Sequence, residues 1–381
     1  MIFKPFCSTD IRFTDKEGLK QGLLKLTTRN ILLIMSKSSA QRWDLVSFID
    51  SLKDKCKASS TVFIWIETIS ANPTQLDIKH ALAKIKDSQI DVIIAVGGGS
   101  AIDLAKGISA FHDKKKNALY TSENLTNEIK SKGYKDKDKF IDIIAVPTTA
   151  GTGSEVTQWA TIWDEERSAK FSIDDPRLQP RQAVIVPELT ATLPAKMTLA
   201  TGLDAMSQAI ESYWSKHTTP IVQELAIRST ELIIRYLRKA VEEPQDIKVR
   251  EKLCRASVLA GLSFAQTRTT ACHSISYPLT MLYDVPHGLA ASITLDAVAN
   301  KNRGSFPNDL ELFSLFDGFG GIKAFINEVC KGAIDMRLSS FGIREKDIDR
   351  ITDNAFTGGR MDNNPVDLSK EDVKEILLSV L

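Results

Sequence analysis

Charge imbalance, paired cysteines, long apolar runs and internal repeats are all missing from this chain, and each absence removes a class of function. Its 381 residues carry 49 lysines and arginines against 48 aspartates and glutamates, so no net field exists to gather nucleic acid or an anionic lipid surface. The five cysteines, Cys7, Cys56, Cys254, Cys272 and Cys330, are odd in number and scattered, the pattern of reduced thiols rather than of a disulfide framework. No run approaches the roughly 18 to 20 apolar residues of a membrane span. The N-terminal stretch carries Lys4, Asp10, Arg12 and Asp15 where a targeting segment needs an apolar core. The expectation is a cytoplasmic protein that binds neither membrane nor nucleic acid. Histidine is scarce too: there are only five, His80, His112, His217, His273 and His287, and the last two fall within one short stretch.

What is present reads as two domains, since a hydrophobic content of 43% over 381 residues exceeds what one core usually holds. In the first half, strands alternate with helices. Residues 30–35 are a short apolar run that passes through Ser36 into a helical pattern over 43–52. Residues 61–66 repeat the strand signal, 76–85 are amphipathic, and 91–96 form a buried strand running into Gly97-Gly98-Gly99-Ser100 and a helix over 101–109. The lysine-rich stretch 114–139 reads as a solvated loop. A strand over 140–146 ends at Pro147-Thr148-Thr149-Ala150-Gly151-Thr152-Gly153-Ser154-Glu155, and 171–174 with 183–186 read as a hairpin or strand pair closing the domain. Such alternation predicts a parallel sheet with helices on both faces. Beyond it strand signals vanish. Helical patterns follow at 201–213, 221–241, 247–264, 279–282, 321–329 and 345–355, and Ser369 caps a closing helix over 373–381. The expected boundaries are 1–187 for an α/β domain and 188–381 for an all-helical one.

Three stretches carry chemistry. Gly97–Ser100 sits at the carboxyl end of a strand and opens a helix, where free amides and the helix dipole favour an anion such as a diphosphate; it departs from the Gly-x-Gly-x-x-Gly fingerprint, and a glycine triplet is also an ordinary tight turn. The hydroxyl-rich loop 147–155 can approach a cofactor closely, or be a flexible turn. Asp204 and Gln208 lie four apart and project from one helix face, while Pro278 and Pro286 separate His273 and His287 into different helices. A carboxylate with two imidazoles suits zinc or ferrous iron, although any one of these histidines alone is commonly a hydrogen-bonded core residue. Cys272, next to His273, is either a nucleophile or, as is usual, a buried free thiol.

Taken together, these stretches resemble the iron-containing alcohol dehydrogenase family, whose fold is shared with glycerol dehydrogenases and dehydroquinate synthases. The resemblance spans nearly the whole chain and rests on Gly97 to Lys106, the loop 147–155, Asp175-Pro176-Arg177-Leu178, the run from Gly202 to Glu211, the His273 and His287-Gly288 pair, and Asn363-Asn364-Pro365. It implies a dehydroquinate synthase-like fold, an N-terminal Rossmann-like parallel-sheet domain and a C-terminal helical domain, in an NAD(P)-dependent alcohol dehydrogenase that forms homodimers. Gly97, Gly98, Gly99 and Ser100 would cradle the diphosphate of NADH or NADPH, with Ser36, Asp103, Thr148, Thr149, Thr152, Ser154, Lys170 and Leu189 in the same site. Asp204, His273 and His287 would hold one divalent metal in the interdomain cleft. Two positions depart from the family pattern: the histidine expected four after Asp204 is Gln208, and the one expected four after His273 is Tyr277. Gln208 still offers an amide oxygen, and glycerol dehydrogenase relatives hold zinc with one Asp and two His, so Fe2+ and Zn2+ both stay open.

Within that family, residues 209–215 and 266–279 are similar to the phosphonoacetaldehyde reductases, which form 2-hydroxyethylphosphonate. This likeness implies an aldehyde reductase whose metal polarises the carbonyl as hydride arrives from the nicotinamide, with Tyr277 as a candidate proton donor. Arg268, five residues before His273, would supply the fork-shaped cation that a phosphonate needs; its ordinary alternative is a cation bridging two helices. Rival readings are a general short-chain alcohol dehydrogenase, a lyase-type enzyme on a phosphorylated sugar or polyol, and a non-catalytic nucleotide-binding scaffold.

Overall fold

The structure, a computed structural model, describes residues 6–113, 117, 119–164 and 170–381. The chain divides into two compact units, Met1–Thr149 with Ser154–Thr190, and Ala150–Gly153 with Ala191–Leu381.

The first unit runs β1 (Asp10–Phe13), α1 (Lys16–Leu24), β2 (Ile31–Ile34), α2 (Lys37–Arg42), α3 (Val46–Ala58), β3 (Phe63–Ile66), α4 (Gln75–Lys84), β4 (Val92–Gly97), α5 (Gly99–Phe111), α6 (Ser122–Ser131), β5 (Asp142–Pro147), β6 (Trp159–Trp163), β7 (Lys170–Asp174) and β8 (Gln182–Ile185). Six strands form a parallel sheet in the order β1-β8-β5-β4-β2-β3. Side chains alternate between two cores: Ile31, Leu33, Val92, Ile94 and Val96 enter one, and Leu32, Ile34, Ile93 and Ala95 the other. Burial on both faces is why these strands read as unbroken apolar runs. From β2 the chain continues to β3 on one side, whereas from β4 it continues to β5 on the other. The carboxyl ends of β2 and β4 therefore flank a topological switch point, the place where open α/β sheets bind ligands.

Several sequence expectations shift here. The helix expected at 43–52 starts later, as α3 at Val46, and a separate short helix α2 precedes it, because Trp43 and Leu45 turn into the core and Asp44 between them takes φ 55°, a left-handed geometry that Asp tolerates better than most residues. The lysine-rich loop contains α6, capped reciprocally by Thr121 and Asn124 and burying Leu125 and Ile129; two apolar residues one turn apart are too sparse to show through so polar a sequence. Lys114, Lys115 and Lys116 of that stretch lie outside the described residues. The expected hairpin is not formed: β7 pairs antiparallel with β6, while β8 joins the main sheet between β1 and β5.

The second unit begins with three long helices packed on one another, α7 (Ala195–Trp214), α8 (Pro220–Glu242) and α9 (Ile247–Thr267). There follow α10 (Ala271–Tyr283), α11 (His287–Ile293), α12 (Leu295–Asn302), α13 (Asp309–Ser314), α14 (Ile322–Cys330), α15 (Ile348–Asp353) and α16 (Lys370–Leu378). Ser369 caps α16 in a reciprocal box with Asp372, as its spacing predicts. Pro278 lies inside α10 rather than ending it; the break before His287 comes from Asp284, at φ 53°, and Pro286. Among the described residues no helix is long and apolar enough to cross a membrane.

Candidate active site

Helix α7 is buried on nearly every side from Thr198 to Trp214, and Asp204, Gln208 and Glu211 follow one another at helical spacing along it. Gln208 donates from Nε2 to Asp204 Oδ2 (3.1 Å). Glu211, fully buried, faces the start of α10. Its Oε1 accepts from Thr270 N (2.9 Å), Thr270 Oγ1 (3.0 Å) and His273 N (3.2 Å), and its Oε2 meets His273 Nδ1. A carboxylate at a helix N-terminus satisfies amides that have no partner inside the helix. It also fixes the His273 tautomer, with the proton on Nδ1 and Nε2 pointing away.

That Nε2 stands 3.3 Å from Asp204 Oδ1 but without hydrogen-bond geometry. His287 arrives on the first residue of α11, and its neighbour Gly288 explains how: a Cβ at Gly288 would lie 2.0 Å from Ala200 O and 2.8 Å from Asp204 Cβ. Only glycine lets α11 cross α7 this closely. As a result one ligand atom each from Asp204, His273 and His287 lies within 4.8 Å of the others.

The residues fit a divalent ion. Asp204 Oδ1, Gln208 Oε1 and His273 Nε2 are all buried without a hydrogen-bond partner, and leaving such groups unsatisfied is expensive. A hydrogen-bonded core histidine would account for Nδ1 but not for Nε2. Burial alone would push the His273 imidazole down, yet the charges of Glu211 and Asp204 outweigh it and raise it; these two carboxylates make surroundings that favour a cation, and a metal on Nε2 would take the place of a proton there. A mixed carboxylate and imidazole set suits ferrous iron or zinc. Cys272 is fully buried and its thiol is raised well above the usual range, chiefly by burial, so it is no thiolate nucleophile at neutral pH.

Tyr277, one turn after His273, stacks its ring on His287 (centroids 6.2 Å, interplanar 11°). Burial pushes its hydroxyl up, against the opposing charges of Arg360 and Arg268, so it keeps its proton at neutral pH. Arg268 ends α9 with φ 63°, a conformation that costs a non-glycine residue energy and clusters at functional sites. The turn is held from outside: Asn363 Nδ2 donates to the carbonyls of Thr267 (2.6 Å) and Thr269 (3.1 Å), and its Oδ1 accepts from Ser215 Oγ (2.8 Å).

In the first unit, Gly97 and Pro147 are register partners on β4 and β5, and Thr148 N donates to Gly97 O (3.0 Å). A Cβ at Gly98 would lie 3.3 Å from Thr149 Cγ2 and Oγ1, so the two loops lie side by side. Gly98 caps α5 without a side-chain bond to its amides, leaving the helix start available to an anion. Ser100 Oγ accepts from Asn72 N (3.2 Å). Ser36, at the carboxyl end of β2, caps α2 and accepts from Ser39 N (3.2 Å). Asp103 and Ser154 brace this region from within: Asp103 accepts from Ser154 Oγ (2.7 Å) and Thr161 N (2.9 Å), and buried Lys106 donates to Ser154 O (2.8 Å), Ser154 Oγ (3.0 Å) and Trp159 O (2.7 Å). Lys170 lies over the Trp163 ring at 5.7 Å, and the Leu189 side chain is buried in the core. Thr152 belongs to the stretch grouped with the helical unit, where Gly151 and Gly153 allow backbone contact with Thr201 and Gly261.

Sequence reasoning brings together Asp204, Gln208, His273, His287, Tyr277 and Arg268, all in the second unit. It assigns no role to Glu211, Asn363 or Arg360. Glu211 was visible as an acidic residue seven positions after Asp204, on the same helix face; the other two act across long sequence separations and leave no local signal.

The chain is similar to known proteins along its whole length. Residues 11–187 match the family described as iron-containing alcohol dehydrogenase, and residues 198–381 match the C-terminal part of the same family. Alcohol dehydrogenase 4 of Schizosaccharomyces pombe is 30% identical over 347 residues, covering 87% of this chain and 79% of that protein. The 1,3-propanediol dehydrogenase of Citrobacter freundii is 31% identical over 322 residues, covering 81% and 80%. Among solved structures, the sulfoacetaldehyde reductase of Bifidobacterium kashiwanohense in complex with NAD+ superposes with a TM-score of 0.84 at 28% identity, over 100% of this chain and 99% of that one.

Proposed function

The chain belongs to the iron-containing alcohol dehydrogenase family, oxidoreductases that use NAD(P) and a divalent metal, and from that premise we propose that it reduces a short aldehyde carrying a tetrahedral anion. Phosphonoacetaldehyde, giving 2-hydroxyethylphosphonate, is the best-fitting substrate. The observation that carries this reading is Arg268, held in a strained turn by Asn363 and acting on the hydroxyl of Tyr277, itself stacked on His287. When bound, the metal polarises a carbonyl oxygen and the nicotinamide supplies hydride. Asp204, His273 and His287 would hold the ion, with Gln208 steadying Asp204 and Glu211 steadying His273. Tyr277 keeps a proton on its hydroxyl beside that centre, and Arg268 fixes the far end of the substrate, which orients the carbonyl. Sulfoacetaldehyde is a second reading, supported by the likeness to the Bifidobacterium reductase.

Losing a charge-assisted contact costs about 1.5–3 kcal/mol. Arg268→Ala is therefore expected to lower the ratio of kcat/KM for phosphonoacetaldehyde to that for propanal by roughly ten- to a hundredfold. Equal losses on both aldehydes would make Arg268 a structural cation, and a native enzyme that prefers propanal would overturn the anionic-substrate reading.

Cofactor choice rests on Ser36 beside the switch point. NAD-selective sites place an acidic residue against the ribose 2′-hydroxyl, where it repels a 2′-phosphate; here the position is a neutral serine followed by Lys37. Lys37 does approach Glu67, but at 3.9 Å with both side chains exposed, a pairing that contributes little. NADPH is expected to be accepted, and Ser36→Asp to shift preference toward NADH. A native preference for NADH of a hundredfold, about 2.7 kcal/mol, would refute this in steady-state assays with both cofactors.

A further inference from the structure

Arg360 lays its guanidinium over the ring of Tyr277, 5.0 Å from the centroid, the same ring that stacks on His287. The guanidinium thus meets a ring face.

The stretch carrying Arg360 is fastened at both ends to the active site. On one side Ser274, adjacent to His273, donates from Oγ to Ala355 O (2.5 Å) and accepts from Thr357 N (2.9 Å). On the other, Asn363 holds the carbonyls of Thr267 and Thr269, which flank Arg268. Between them the amides of Arg360 and Met361 bond back to Thr357 O at 3.2 and 3.1 Å, closing a tight turn through Gly358 and Gly359. Gly359 has φ +76°, and a Cβ there would lie 3.0 Å from Arg268 Nη1. The turn thus rests against the Arg268 guanidinium while it presents the next residue, Arg360, to Tyr277.

We infer that Arg360 and Arg268 form a two-arginine seat for the tetrahedral anionic head of the substrate, with Arg360 the residue that separates a dianionic head from a monoanionic one. The inference rests on the anionic-aldehyde reading above and deepens it. One guanidinium matches the single charge of a sulfonate; a second, arriving from a separate strap, matches the additional charge of a phosphonate and selects it over the sulfonate.

The test compares native enzyme with Arg360→Ala, Arg360→Lys and Arg268→Ala on phosphonoacetaldehyde, sulfoacetaldehyde and propanal, with methylphosphonate as a competitive inhibitor of propanal reduction. Arg360→Ala is expected to lower the phosphonate-to-sulfonate ratio of kcat/KM roughly tenfold, mainly through KM, and to raise the Ki of methylphosphonate by a similar factor. Arg360→Lys should recover part of both, since it keeps the charge but loses the fork. An Arg360→Ala enzyme that shifts all three aldehydes by one common factor, with the Ki unmoved, would overturn the inference and leave the anionic-aldehyde reading standing. A native enzyme that prefers propanal and ignores methylphosphonate would remove that reading, and the two-arginine seat with it.

Discussion

His273→Ala and His287→Ala are each expected to lose bound metal and about a thousandfold in kcat/KM, since the polarising ion contributes several kcal/mol to the reaction barrier. Three candidate ligands converge from three helices, so removing either imidazole would leave a pair of donors that solvent competes with easily. Gln208→Ala should be milder, within about tenfold, because a neutral amide is the weakest donor of the set and its present bond only steadies Asp204. Metal content of the purified variants, read beside their circular dichroism and kcat/KM, checks the ordering. Full activity in metal-stripped protein, or stoichiometric metal in both histidine variants, would sink the assignment.

The parallel sheet was legible because its strands are buried on both faces and its loops change composition abruptly at Gly97 and Pro147. The expected metal ligands were legible for a local reason: Asp204 and Gln208 lie one helical turn apart, and two of only five histidines flank a proline-marked break. What stayed hidden was decided by distant partners. Strand β1 is four residues long and mostly exposed, so no apolar pattern announces it, and β8 pairs across the sheet with it rather than with its neighbour in sequence. Asp103 reads as a cofactor contact in the motif, and its bonds from Ser154 and Thr161 come from residues more than fifty positions away. Pro278 does not break its helix. It sits two turns into α10, where the rest of the helix is held by its buried face, and the actual stop is the left-handed Asp284. The charge of Arg268 is plain in the sequence, whereas its turn depends on Asn363, nearly a hundred residues later.

Glu211→Gln is expected to weaken metal binding by about ten- to a hundredfold, the usual loss when a carboxylate behind a metal-bound imidazole is changed. The substitution is nearly isosteric, and the new amide oxygen can still accept from Thr270 N, Thr270 Oγ1 and His273 N, as Glu211 Oε1 does now. Its amide nitrogen, however, falls where Oε2 meets His273 Nδ1. Two donors cannot face one another, so the ring must give up its Nδ1 proton and carry one on Nε2, the atom that points at Asp204 and has to be bare to bind metal. Glu211→Ala goes further, removing the acceptor for every one of those donors in a place with no access to water. Breaking a buried charged partnership costs about 3–5 kcal/mol, which in a unit of this size lowers Tm by roughly 10 °C. The two variants therefore separate tautomer control from folding: Glu211→Gln should melt close to native protein while binding metal poorly in a chelator competition, and Glu211→Ala should fail on both counts. If Glu211→Gln held metal as tightly as native protein, the carboxylate would be only a cap on α10, and control of the His273 tautomer would have to be assigned elsewhere.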